Sequence, residues 1–363
     1  MLRIHFTAAD LSRVRLAASP DPMWETALSM HVVQSRNFDP LLSGWRRNLL
    51  RLLHPAGRLQ KQTAMAFALN PPLGYFPDFL TPHEASESIE AGLASLLATP
   101  KARLRREIEF LGKPQGELGS GLDDLRRGSR GALMTLSDGL RSYFEAALAP
   151  VWLRIAATVD ADRAVRAHQF LLGGIGRLLD NLAPTVRFHD QVLEVHHVRR
   201  DSDLYLNGRG LVLIPSFFKE DGNVMLLADP SLPPVVVYPV DRHIRVTLEA
   251  RHQATTALIG ATRAAILEMA TAGVTATYAA QQLRMTVSAA SRHLAVLANA
   301  GLVYRVREGN RLHHLLSPLG LSLLSPTTTP LAYTQAPGGG SLIPGEHSTD
   351  LSLGGRSLHT YGS

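Results

Sequence analysis

The chain has 363 residues, 45% of them hydrophobic and 19% charged, which is enough for about two domains with real cores and excludes a disordered polymer. Its net charge is +6 and it contains no cysteine, which excludes a disulfide scaffold, thiolate metal ligands and a thiol nucleophile. The N-terminus lacks the apolar run of a signal peptide, and no uncharged apolar stretch of about 18 residues could span a bilayer. We therefore expect a cytoplasmic protein with no membrane partner.

Residues 1–183 predict a mostly helical region. Leu2 to Phe6 indicates a strand, and Thr7 followed by Asp10 is a helix-start pattern that predicts a helix to about Ala18. Residues Asn70 to Pro82, rich in proline, glycine and aromatic side chains, predict a loop. Apolar spacings of three and four predict further helices over 23–36, 40–53, 83–98, 100–112, 119–149 and 150–181.

The composition changes near Pro184, and residues 184–245 predict a β-rich segment that packs with the helical region. Short β-branched runs separated by turn residues predict strands over 186–198, 204–217, 224–228 and 235–240. The metal-friendly residues of this segment are His189, Asp190, Glu194, His196 and His197. On one strand Asp190, Glu194 and His196 would share a face, which leaves a metal or ligand site as an alternative. Because nothing in their spacing fixes a ligand geometry, we predict no metal site, and no acid–base or nucleophile pattern predicts a catalytic residue.

Positive charge is concentrated in a third region, residues 246–325. Within it, residues 251–316 carry seven arginines against two glutamates, a net charge of +5 out of the +6 of the chain. A short, strongly basic segment of this kind is the electrostatic footprint of nucleic-acid binding. The last region, 326–363, is rich in Thr, Pro, Gly and Ser and predicts a disordered tail.

Within this basic region, the order of elements predicts a winged helix-turn-helix. A helix over 258–272 ends at Gly273, a second over 278–283 is capped by Thr275 or Thr277, and a third begins at Ser288 after a tight turn. In the third helix Ala290, Leu294 and Leu297 form one apolar stripe that faces inward. The residues that then face outward are Ser288, Ser291, Arg292 and Ala295, and their hydroxyl and guanidinium groups can reach base edges.

The third helix is followed by a predicted β-hairpin. Residues 302–307 and 311–316 alternate around the turn Glu308-Gly309-Asn310, and the hairpin carries Arg305, Arg307 and Arg311. An arginine-bearing hairpin directly after a recognition helix is suited to contacts with the DNA backbone or minor groove. The overall expectation is an α+β chain: a mixed helical N-terminal region with a small β-rich segment, followed by a C-terminal winged helix-turn-helix.

The string from Ser288 to Val303, which includes Ser291-Arg292-His293-Leu294, together with Arg307 to Arg311, resembles the DNA-binding core of ArsR/SmtB-type winged-helix transcriptional regulators. The long N-terminal part resembles the module of unknown function that precedes such winged helices in some actinobacterial regulators. The helix before the recognition helix has no cysteine pair, so the thiolate metal sensing of some family members is excluded. The resemblance and the residue pattern together predict DNA contacts from Thr286, Ser288, Ala289, Ser291, Arg292, His293, Arg305, Arg307, Asn310 and Arg311.

The predicted function is that of a sequence-specific DNA-binding transcriptional regulator, a repressor and a homodimer, with no enzymatic activity and no cofactor. Its N-terminal region would supply dimerisation, sensing of a small-molecule effector, or both. Three site residues have purely structural alternatives: Arg292 as a solvated helix charge, His293 as a packed histidine and Arg305 as a solvent-facing strand residue. The alternative for the whole chain is an enzyme or small-molecule-binding N-terminal domain, with the winged helix as a regulatory or protein-interaction appendage.

Overall fold

The computed structural model describes residues 1–55, 57–72, 75–83, 88–111, 118–196, 201–220, 222–227, 232–270, 273–283, 285–308 and 311–324. Its helices are α1 (Ala8–Leu11), α2 (Pro22–Gln34), α3 (Ser43–Leu52), α4 (Arg58–Leu69), α5 (Ile89–Leu97), α6 (Lys101–Phe110), α7 (Leu118–Arg126), α8 (Arg130–Ala147), α9 (Trp152–Asp180), α10 (Arg242–Ile259), α11 (Ala261–Met269), α12 (Ala276–Gln282), α13 (Val287–Asn299) and α14 (Pro318–Leu324). Its strands are β1 (Leu2–His5), β2 (Val14–Leu16), β3 (Val186–His189), β4 (Val192–Val195), β5 (Ser202–Tyr205), β6 (Leu211–Ser216), β7 (Met225–Leu227), β8 (Val235–Pro239), β9 (Val303–Glu308) and β10 (Arg311–Leu316). This mixture of helix and strand confirms the α+β class, while the predicted tail lies outside the described residues.

The first helix is much shorter than predicted. The helix-start pattern is confirmed, because the Thr7 side chain accepts from the Asp10 amide at 3.2 Å and the Asp10 carboxylate accepts from the Thr7 amide at 2.9 Å. The helix nevertheless ends at Leu11, so the prediction that it continues to Ala18 was wrong. Residues 14–16 instead form β2, which pairs in parallel with β6. Pairing with β6 at the edge of a sheet overrides the weak local preference for helix.

The N-terminal helices surround α2. Only His31 and Gln34 of its thirteen residues are not buried, and Asp21 caps its start by accepting from the amides of Met23 and Trp24 at 2.9 and 3.0 Å. The single helix predicted over 119–149 is two helices, α7 and α8. They are separated at Gly128, whose φ of +75° lies in the left-handed region that ends helices.

Two four-stranded sheets divide the strands of the N-terminal 240 residues. One has the order β3-β4-β1-β5, and the other has the order β2-β6-β8-β7 with β2, β6 and β8 parallel. The strand predicted over 186–198 is a hairpin, because Asp190 and Gln191 turn the chain with φ of 49° and 62°. Asn207 and Gly208, with φ of 53° and 84°, likewise divide the strand predicted over 204–217 into β5 and β6.

Three buried clusters hold these elements together. The largest joins the N-terminal helices to one side of β6 and β8, and contains Trp24 with Trp45 and Trp152 packed against it. A second lies between α9 and the two sheets, and a third belongs to the C-terminal helices and hairpin. Over the described ranges, none of the helices combines the length and apolarity needed to cross a bilayer.

The start of α10 is tied to the N-terminal region by buried polar bonds. The Tyr238 hydroxyl, at the end of β8, donates to Asp162 of α9 at 2.7 Å. In the first turn of α10, the Arg245 guanidinium donates to the Asp39 carboxylate at 2.6 Å and to the Phe217 carbonyl at 2.8 Å. Since both Arg245 and Asp39 have nearly buried side chains, this pair is screened less than a surface ion pair. The helix that precedes the C-terminal cluster is therefore fixed at its beginning.

Candidate nucleic-acid interface

The first helix of the C-terminal cluster is bounded by two glycines. Gly260, with φ of +82°, separates α10 from α11, so the helix predicted over 258–272 begins at Ala261 and ends at Met269. Gly273 has φ of +81°, and a side chain there would meet Leu315 of β10 at 3.2 Å. Both the backbone conformation and the close approach of the hairpin explain why glycine follows this helix.

Two capped helices follow, joined by a short connection. Thr275 caps α12 by accepting from the Tyr278 amide at 3.2 Å, which decides between the two threonines that the sequence offered. Thr286 caps α13 by accepting from the Ala289 amide at 3.2 Å, so this helix begins one residue before Ser288. Between them the Met285 amide donates to the Ala280 carbonyl at 3.0 Å, which closes the connection tightly.

The predicted division of α13 into two faces is confirmed as far as burial is concerned. Ala290, Leu294 and Leu297 are at most 1% exposed and belong to the third cluster, together with residues of α11, α12 and β9. The opposite face carries the predicted contact residues: Thr286, Ser288, Ser291 and Arg292 are exposed, and Ala289 and His293 are half-buried. The packed side therefore holds the helix in place while the hydroxyl- and arginine-bearing side faces solvent.

Strands β9 and β10 form the predicted antiparallel hairpin. Arg307 lies opposite Leu312 and Arg305 opposite His314, and both arginines are exposed. Asn310 lies outside the described residues, and Arg311 is described only by its backbone, which pairs with Glu308. The hairpin is a two-stranded unit with arginines on its first strand.

His314 joins the hairpin to the helices. Its amide donates to the Val274 carbonyl at 2.8 Å, and its carbonyl accepts from the Val274 amide at 2.9 Å. The side chain is only 5% exposed, and burial lowers the pKa of His314, with the positive charge of Arg305 acting in the same direction. A neutral histidine at this position keeps the junction between hairpin and helices uncharged.

The exposed arginines of this region carry charge that no described residue neutralises. Among the described residues, the guanidinium groups of Arg292, Arg305 and Arg307 make no hydrogen bond and no ion pair. Elsewhere, Arg105 lies 3.0 Å from a carboxylate, whereas the exposed Arg47 and Arg106 also make no hydrogen bond or ion pair with described residues. The C-terminal region differs because its three unpaired arginines lie on two elements that share one buried cluster. Unpaired cations beside hydroxyl groups form a surface suited to a polyanion.

The metal-friendly residues of the β-rich segment lie around the β3–β4 hairpin. His189 Nε2 is 3.3 Å from the Glu194 carboxylate and His196 Nε2 is 4.0 Å from it, while His197 lies outside the described residues. Asp190 occupies the turn and is fully exposed. In the part of the chain that the structure describes, no three such side chains are placed to share a metal ion.

A buried acidic site in the N-terminal region was not predicted from the sequence. Glu25 is completely buried and accepts from the amides of Phe217 and Phe218 at 2.7 and 3.1 Å and from the Ser216 hydroxyl at 3.0 Å. Burial raises the pKa of Glu25 to about 7 and that of neighbouring Asp21 to about 6. No local signal could reveal this site, because the donors to Glu25 are more than 190 residues away.

No known protein family, curated protein or solved structure matches the chain. We therefore base the functional proposal on the geometry and charge of the residues themselves.

Proposed function

We propose that residues 246–325 form a winged helix-turn-helix that binds duplex DNA, with α13 as the recognition helix and the β9–β10 hairpin as the wing. The observation that carries the proposal is the set of three exposed arginines, Arg292, Arg305 and Arg307, which lack partners among the described residues. All three belong to elements built on one buried cluster. The ArsR/SmtB-type pattern of the sequence supports the same assignment.

The exposed side of α13 is suited to a major groove. Ser288 and Ser291 are small enough to let the helix approach base edges, and their hydroxyls can donate or accept. Arg292 can place two donors on O6 and N7 of a guanine, which is worth about 1–3 kcal/mol of discrimination. Thr286 caps the helix and Ser288 lies in its first turn, where free backbone amides favour a phosphate.

The hairpin is suited to phosphate binding. Arg305 and Arg307 are two residues apart on β9, so their side chains leave the same face of the strand. Contacts of this kind add affinity and fix orientation without reading sequence. In this assignment α13 supplies the base preference, and the hairpin supplies much of the salt-sensitive affinity.

The proposed protein is a homodimeric transcriptional regulator that acts as a repressor and carries out no catalytic step. Two half-sites about 34–36 Å apart, or a multiple of that spacing, would receive the two recognition helices of the dimer. The N-terminal region would provide dimerisation, effector sensing, or both. The bonds from Arg245 to Asp39 and to the Phe217 carbonyl support such a role, because they connect this region to the helix that leads into the DNA-binding cluster.

The proposal is tested by the salt dependence of DNA binding. We expect the full chain to bind the duplex upstream of its own coding region more tightly than an unrelated duplex, with affinity that falls steeply as salt rises. Arg305→Ala combined with Arg307→Ala should make the log–log slope shallower by about two units, because each lost phosphate contact removes about 0.9. Fluorescence anisotropy of labelled duplexes over a salt series measures both quantities.

A matched control removes the same charge elsewhere. Arg105 and Arg127 are also exposed, and Arg105→Ala combined with Arg127→Ala lowers the net charge by the same two units in the N-terminal region. This variant should keep the wild-type slope. A slope that changes equally in both double variants, or a wild-type chain that does not bind duplex DNA, would overturn the proposal.

A further inference from the structure

A cavity of about 150 Å³ lies between the N-terminal helices and the second sheet. It is lined by the segment 79–83 that precedes α5, by the residues that join α5 to α6, and by the edge of the sheet at β7 and β8. The β7 and β8 residues are far in sequence from the other two segments, so the cavity exists only in the folded protein. No residue of the proposed DNA-binding region lines it.

The lining has two chemically different sides. Phe79, Leu232 and Val235 present apolar surface, whereas His83, Thr99 and Arg103 bring polar groups into the wall. No aspartate or glutamate belongs to the lining among the described residues. Arg103 is the guanidinium that this lining presents to the cavity, and Glu107 balances its charge from behind the wall. An apolar body with an acceptor-rich, negative end fits such a cavity.

Arg103 is held in a defined orientation by a buried carboxylate behind the wall. Its Nε donates to Glu107 Oε1 at 2.6 Å, and Glu107 Oε2 accepts from the Phe79 amide at 2.8 Å. The Glu107 side chain is 5% exposed and that of Arg103 is 28% exposed, so the guanidinium lies at the cavity wall and the carboxylate lies behind it. A guanidinium fixed in this way can recognise a carboxylate without first losing side-chain entropy.

We propose that this cavity is a binding site for a small organic acid, a single carboxylate on a compact aromatic or branched aliphatic body. The volume sets the size, because an apolar protein cavity of roughly 150 Å³ holds one benzene molecule. The carboxylate would lie towards Arg103 and His83, and the body would pack against Phe79, Leu232 and Val235.

The position of the cavity gives binding a route to α10. Val235 lines the cavity and begins β8, and the same strand ends at Pro239, two residues before the α10 cap at Asp241. Only this step rests on the proposed function: if that function is correct, the organic acid is the effector of the regulator. Its binding would then be coupled to the placement of the DNA-binding helices.

The site is tested by calorimetric titration of the full chain with benzoate, benzamide and acetate. We expect benzoate to bind at least about tenfold more tightly than benzamide, which lacks the charge, and than acetate, which lacks the body. Arg103→Gln should lower the benzoate affinity by about tenfold or more. Ala98→Phe, at an exposed position in the cavity wall, should do the same by filling the space.

Arg105→Gln is the matched control, since Arg105 lies on the same helix and pairs with Glu109 in the same i,i+4 arrangement without lining the cavity. It should leave benzoate affinity unchanged. Benzamide binding as tightly as benzoate, no binding of benzoate, or equal affinity in wild type, Arg103→Gln and Ala98→Phe would overturn the site. Because the titration contains no DNA, a failure of the site and a failure of DNA binding are separate results.

Discussion

Arg292 is placed so that the shape of its side chain matters as well as its charge. Arg292 is exposed on α13, while Leu294 of the same helix is buried. The buried side of the helix therefore holds Arg292 in a fixed position. A guanidinium offers a planar fork of donors, whereas a lysine ammonium is a compact point charge. Replacing one by the other therefore separates base reading from simple electrostatic attraction.

We predict that Arg292→Lys weakens discrimination at one base pair by about 1–3 kcal/mol, because lysine keeps the charge but loses the bidentate geometry. The salt dependence of binding should stay the same, since the number of cations is unchanged. Selection from a pool of random duplexes, followed by affinities for single-base variants of the preferred site, measures the change.

Arg305→Lys supplies the control for this experiment. On the wing, where a phosphate is the expected partner, lysine should serve nearly as well as arginine, and base preference should persist. A base preference that survives Arg292→Lys and disappears in Arg305→Lys would contradict the assigned roles of helix and hairpin.

At the scale of elements, close helix packing determines which glycines are required. Gly139 of α8 faces α4, and a Cβ atom there would lie 2.3 Å from the Gln62 carbonyl oxygen. Gly131, at the start of the same helix, is exposed, and a Cβ atom there would meet only the Ser129 hydroxyl at 3.8 Å. The same substitution should therefore have opposite effects at these two positions.

We predict that Gly139→Ala destabilises the protein by about 1–3 kcal/mol, because the added methyl group forces α4 and α8 apart. Gly131→Ala should stabilise it by up to about 1 kcal/mol, because alanine loses less backbone entropy in a helix. Urea unfolding measures both free energies. Equal changes of the same sign in the free energy of unfolding of the two variants would contradict a close contact between α4 and α8 at Gly139.

The elements that could be predicted from sequence are those whose signal is local. The apolar stripe of α13 repeats within one helix, and the hairpin that follows has its turn residues between its strands, so both were predicted correctly. Strand β2 was missed because its partner β6 is almost 200 residues away. Helix α4 was not predicted, because it lies in a stretch to which no element was assigned. The cavity could not be predicted from local signals, because its lining combines residues from 79 to 235.

At the scale of the whole molecule, the buried titratable groups of two clusters respond to pH in opposite directions. Burial raises the pKa of Glu25 to about 7 in the N-terminal region, so folding takes up a proton there between about pH 4.5 and pH 7. Burial lowers the pKa of His314 in the C-terminal cluster, so folding there favours the neutral ring. The first effect stabilises the fold at low pH and is lost as pH rises through about 7. The second is present above about pH 6.5 and is lost as pH falls.

Tryptophan fluorescence can follow the first of these effects separately. The chain has three tryptophans, Trp24, Trp45 and Trp152, and all three belong to or pack against the N-terminal cluster. The urea midpoint detected by fluorescence should therefore be higher at pH 5.5 than at pH 8. A shift of about 2.5 pKa units in Glu25 corresponds to roughly 3 kcal/mol over the whole titration, and Asp21 acts in the same direction.

Glu25→Gln should largely flatten this pH dependence, because the amide cannot ionise and keeps an acceptor oxygen for the amides of Phe217 and Phe218. Glu145→Gln is the matched control, since Glu145 is exposed on α8 and its replacement should leave the difference between pH 5.5 and pH 8 intact. Glu25→Gln is compared with wild type through the slope of the free energy of unfolding against pH, which does not depend on any change in absolute stability. An equal dependence of the midpoint on pH in wild type and Glu25→Gln would contradict the assignment, because the Glu25 carboxylate would then contribute nothing to the change in stability between pH 5.5 and pH 8.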